Sequence, residues 1–156
     1  MSAKSKFIMG DAMKELKKLS KKSVIVGFAG VKGAKKAEGD NITIGEYANI
    51  MDKGSIKRNI PARPFFRRAL FFPEGKQMLN NMKSKLLQKL IEGKIDAIGF
   101  YQAIGLFAKG QIIKSINKGG FAPLKQATIK AKDGKTKQLI DTGSMINAVE
   151  FEVKER

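Results

Sequence analysis

Apolar residues recur three and four apart over residues 8–20, where Met9, Met13, Leu16 and Leu19 form one stripe with lysines opposite. This spacing predicts a short amphipathic helix, with Asp11 as its N-cap. Ser23–Ala29 (SVIVGFA) is instead continuously apolar, β-branched and bounded by glycine, which reads as a buried strand. Residues 30–41 are rich in Gly, Lys and Ala and have no apolar period, so an exposed, mobile basic loop is expected there. Thr43-Ile44-Gly45-Glu46 has the form of a capping box, opening a helix that runs through Met51 and stops at Gly54.

The segment Ile60-Pro61-Ala62-Arg63-Pro64-Phe65-Phe66-Arg67-Arg68-Ala69-Leu70 starts extended, because each proline fixes its own φ and restrains the residue before it. A helix is expected from Pro64, a favourable first helical position. Residues 75–92 and 94–118 carry apolar residues at helical spacing and are parted by Gly93, with Gly119 and Gly120 as the stop. A turn and short helix follow over 121–134, then a last short helix capped by Asp141 or Thr142. Val149, Phe151 and Val153 alternate with charged residues, the pattern of a half-buried antiparallel strand that can pair with 23–29. The fold class expected is α+β: a small antiparallel sheet packed on several helices, with a long central helical region, in a single domain over 1–156 that begins with a basic helical segment over 1–22.

Composition narrows the chemistry. The 156 residues include no Cys and no His, which removes thiolate and imidazole nucleophile pairs and the commonest metal ligands. Gly134-Lys135-Thr136 resembles the end of a phosphate loop, but Ile129 stands where that loop needs glycine. Gly27, Gly30 and Gly33 do not make a dinucleotide fingerprint. Glu38 and Asp40 lack a third oxygen-rich neighbour, and Asp141 reads as a turn-capping carboxylate. No enzyme activity, cofactor or metal is expected. No segment reaches the roughly 20 apolar residues that cross a bilayer, and Asp11, Lys14 and Glu15 break any signal-peptide core. The chain is expected to remain in the cytoplasm in which it is made.

Lys and Arg number 31 against 14 Asp and Glu, a formal charge of +17, so polyanions are attracted. Lys32, Lys35, Lys36, Lys130, Lys132 and Lys135 are the candidates for facing nucleic acid or a basic lumen. The Arg–Phe alternation has three readings. The aromatics fill the core while the arginines face solvent; or Arg63, Phe65, Phe66, Arg67 and Arg68 form an assembly interface; or the rings stack on single-stranded nucleic acid.

Three blocks stand in order: Tyr47-Ala48-Asn49-Ile50-Met51-Asp52-Lys53-Gly54; Ile60-Pro61-Ala62-Arg63-Pro64-Phe65; and Pro123-Leu124 with Thr128-Ile129 and Leu139-Ile140-Asp141-Thr142-Gly143-Ser144-Met145. Over about residues 23–150 the chain resembles the tail-completion, or virion morphogenesis, proteins of tailed bacteriophages. The resemblance implies a homo-oligomeric, sixfold ring in the virion neck, without enzyme activity. It implies a head connector or stopper on one side, a tail terminator or tube on the other, and packaged DNA nearby. Charge alone supports a different expectation, a basic nucleic-acid-binding protein.

Overall fold

A computed structural model describes residues 3–37, 41–131, 134, 139 and 143–156. Its elements are α1 (Ala3–Leu19), β1 (Lys22–Gly27), α2 (Gly30–Ala34), α3 (Ile44–Lys53), α4 (Phe65–Leu70), α5 (Pro73–Ile91), α6 (Ala97–Lys118), α7 (Gln126–Ala131), α8 (Ser144–Asn147) and β2 (Glu150–Glu155). The fold is α+β, with β1 and β2 as a two-stranded antiparallel sheet and α6 as the long helix. The register pairs Val24 with Val153 and Val26 with Phe151, so these four side chains share one sheet face.

Local signals set most boundaries. Thr43 and Glu46 form the reciprocal capping box at α3: the Thr43 hydroxyl accepts from Glu46 N–H, and the Glu46 carboxylate accepts from Thr43 N–H. Asp96 caps α6 by accepting from Gly99 N–H at 2.7 Å, and Gly119 ends that helix at φ 63. Gly93, at φ 70, separates α5 from α6.

Several expectations are corrected. Helix α1 starts at Ala3, because nothing in residues 3–9 breaks a helix. Asp11 therefore lies inside it and pairs with Lys14 at 3.3 Å instead of capping. Strand β1 ends at Gly27, two residues early. The expected loop over 30–41 contains α2, then a bridge between Lys36 and Thr43. A Cβ on Gly33 would lie 1.8 Å from the Phe28 carbonyl oxygen, so this short helix packs backbone against backbone and shows no apolar period. Pro64 is the N-cap of α4, and Phe65 its first residue. Pro73, not Gly75, opens α5. The cap position of α8 is Gly143, while Asp141 and Thr142 lie outside the described residues.

Among the described residues, two apolar clusters form along α6. One gathers α3, α4, α8 and the C-terminal half of α6 around Phe65, Ile112, Ile116 and Val149. The other joins the end of α5 to the start of α6 through Leu86, Leu90, Phe100 and Ile104, with Leu16, Leu19 and Val24 packed on it. Among the described residues no helix is long and apolar enough to cross a membrane.

Contact of α6 with the sheet depends on Gly105, where an added Cβ would sit 2.3 Å from the Phe151 ring. We expect Gly105→Ala to destabilise the fold by about 1–3 kcal/mol, the usual effect of forcing volume into a packed site, as measured by urea denaturation.

Glu15 ties α1 to α6, accepting from Ala97 N–H at 2.8 Å and from Lys18 at 2.5 Å. The Lys18 contact, then the Ala97 amide, holds its carboxyl below the ordinary 4.5. Stabilisation from Glu15 is thus complete above that ordinary value and lost as pH falls through the lower folded one. Chemical denaturation should show a larger stability gap between wild type and Glu15→Gln at neutral pH than in acid.

Candidate functional site

The proline-rich corner is built around one buried carboxylate. Pro64 offers no side-chain cap to α4, and the free amides at a helix start need acceptors. Asp52, at the end of α3 and only 7% exposed, supplies them. Its Oδ1 accepts from Phe66 N–H at 2.8 Å and Arg67 N–H at 3.4 Å. Its Oδ2 accepts from Arg67 Nε at 2.8 Å, and its backbone oxygen accepts from Arg67 Nη2 at 2.6 Å. Gly54 completes the junction: at φ 77, a Cβ there would lie 2.7 Å from the Ala62 nitrogen.

The arginines do not face solvent as a set. Arg68 closes the C-terminal end of α6, donating from Nε to Ser115 Oγ at 3.0 Å, from Nη2 to Ser115 O at 2.5 Å and from Nη1 to Gly119 O at 2.8 Å. A cation there also meets the negative end of the helix dipole. Its guanidinium stacks 4.2 Å from the centroid of Phe121. Arg63 is 5% exposed, with Nη1 3.6 Å from Met51 Sδ. Its Nε is buried without a hydrogen-bond partner among the described residues, and burial pushes the guanidinium pKa down. Burial likewise lowers that of Arg68.

This corrects the simple division of aromatics inward and arginines outward. Arg68 turns inward to carbonyls at the end of α6 that its five-donor guanidinium can satisfy, whereas Arg67 pairs with Asp52 from a partly exposed position. Phe65 is fully buried, edge-on to Phe28 at 5.9 Å. Phe66 is partly buried, while Phe71 and Phe72 are exposed. Arg63 and Phe65 are thus buried, and Phe65, Phe66 and Arg67 line an apolar groove of about 510 Å³ between the end of β1 and α3.

The basic candidates divide differently. Lys32, Lys35 and Lys36 come together around a pocket of about 480 Å³, with Ile44, Asn147 and Ala148. All three lysines are exposed, and Lys32 Nζ lies 3.0 Å from Glu150 Oε1. Lys130 is exposed on α7 and is not part of this lining. Lys132 and Lys135 lie outside the described residues. The chemistry available at the pocket is charge attraction and hydrogen bonding to an anion.

Sequence reasoning had singled out neither the capping role of Asp52 nor the Ser115 contact. A carboxylate just before a helix-ending glycine and a proline-bounded segment was the available signal for the first. Nothing local marks Ser115 in the apolar run of α6. No family model, curated protein or solved structure matches the chain.

Asp52→Ala leaves two amides and a guanidinium without their acceptor. We expect a loss of about 2–3 kcal/mol, in the range for hydrogen bonds to a charged group. Asp52→Asn keeps an acceptor for the amides and should lose less. Guanidinium denaturation of both variants checks the order.

Proposed function

We propose that this chain is a structural protein of the neck of a tailed bacteriophage, a tail-completion protein that forms a ring joining the tail to the head connector. The observation that carries the reading is the convergence of the three sequence blocks that bear the resemblance. Asp52 of the first block caps the helix opened by the second. Met51 and Phe65 share one apolar cluster with Leu139 and Met145 of the third. Blocks that pack on one another have a physical reason to keep their order and spacing.

In this reading the buttressed corner supports the surface beside it. Phe66, Phe71 and Phe72 offer aromatic contact area to a neighbour, with the first two rings 6.1 Å apart and Phe71 65% exposed. Aromatics and arginine are favoured at protein interfaces. The lysine pocket is suited to phosphates passing through a ring. Those three clustered lysines also favour a second reading, a nucleic-acid-binding protein acting as a free subunit.

Electron microscopy of a lysate from a phage lacking this gene separates the two. Filled heads lying apart from finished tails are the expected result. Intact, infectious particles would overturn the neck reading. Binding of the isolated chain to DNA that weakens steeply with salt would then favour the second.

A further inference from the structure

The sheet ends at an edge that leaves backbone groups open. Arg156 N–H donates to Lys21 O at 2.7 Å, continuing the β1–β2 register by one residue. Hydrogen-bonded and non-hydrogen-bonded pairs alternate along an antiparallel ladder. Lys21–Arg156 is a bonded position, so Ser23–Lys154, Ile25–Glu152 and Gly27–Glu150 are bonded too. The peptide groups of Phe151, Val153 and Glu155 therefore point away from β1. Among the described residues β2 has no strand on that side.

Helix α6 is left bare beside β2. Ile98 is 46% exposed and Leu106 64%. With Ala103, Phe151 and Val153 they line a trough of about 850 Å³. An added strand would pair the open peptide groups and cover these side chains.

Charge identifies the occupant. The strand and the residue after it read Glu150-Phe151-Glu152-Val153-Lys154-Glu155-Arg156. Laid antiparallel on a second copy about Val153, it sets Glu152 opposite the copy's Lys154 and Glu150 opposite its Arg156. The open peptide groups of Phe151, Val153 and Glu155 then meet one another. Sliding the centre to Glu152 places two glutamates on the axis, and sliding it to Lys154 places two lysines there. Opposite charges facing across strands stabilise and like charges destabilise. In a molecule of net charge +17, this strand is self-complementary in one register.

We propose that β2 pairs with β2 of a second copy, making a twofold dimer with a continuous four-stranded sheet. The contact is closed, because each copy spends the same edge. It does not depend on the neck reading.

Analytical ultracentrifugation of the full chain across the micromolar range tests it, in about 0.15 M salt so that repulsion beyond about 8 Å is screened. Wild type should sediment as a dimer. Lys154→Glu faces glutamate with glutamate and should give a folded monomer by circular dichroism. Adding Glu152→Lys to it restores opposite charges in inverted order and should bring the dimer back. Val153→Pro removes an N–H that β1 does not use and should also abolish the dimer. If that variant does not fold, the charge pair decides alone. A monomeric wild type, a Lys154→Glu variant that assembles like wild type, or a folded charge-swapped double variant that stays monomeric would each overturn the proposal.

Discussion

The Asp52 carboxylate holds the corner on which the larger of the two clusters is assembled. Two prolines prepare an extended approach but leave α4 without a cap of its own, since proline has no side-chain acceptor. Asp52 provides that acceptor from the end of α3 and binds Arg67 with its other oxygen. With α4 so placed, Phe65 enters the core and Arg68 reaches the last carbonyls of α6. Three helices are thereby fixed by hydrogen bonds to charged groups, which are stronger than neutral ones.

Helix α6 passes from one apolar cluster to the other and carries the sheet. It tolerates close approach because Gly105 admits the Phe151 ring. Two strands are too few to cover its 22 residues, so Ile98 and Leu106 remain in contact with solvent. The same shortage leaves one side of β2 without a paired strand among the described residues. An uncovered helix stripe and an unpaired strand edge in one trough are two results of one geometric fact.

The charge distribution has a similar logic. The surplus of lysine gives the chain a formal charge of +17, a long-range repulsion that any contact between copies must offset. Against it stands β2, whose glutamates each meet a lysine of the same chain: Glu150 with Lys32, Glu152 with Lys154 and Glu155 with Lys22. The lysine pocket by α2 is a different surface, suited to anions. The two surfaces meet at one ion pair, because Lys32 of the pocket reaches Glu150 at the start of β2.

Elements stated by local chemistry were legible in the sequence: the capping box at Thr43 and Glu46, the stop at Gly119, the break at Gly93, and the alternation that paired the last strand with the first. These depend on residues a few positions apart, so the chain itself carries the signal. Helix α2 was not legible, because packing against the Phe28 backbone, rather than an apolar period, holds it. The inward turn of Arg63 and Arg68 was not legible either, since arginine reads as a surface residue until its acceptors are known. Arg68 finds its acceptors in Ser115 and Gly119 at the C-terminal end of α6, while Arg63 lies buried against Met51. The sequence by itself determined the fold class, the pairing of the two strands and the excess of positive charge. Tertiary structure alone decided which charges are enclosed, which lysines share a pocket and which strand edge stays open, because each depends on contacts between segments far apart along the chain.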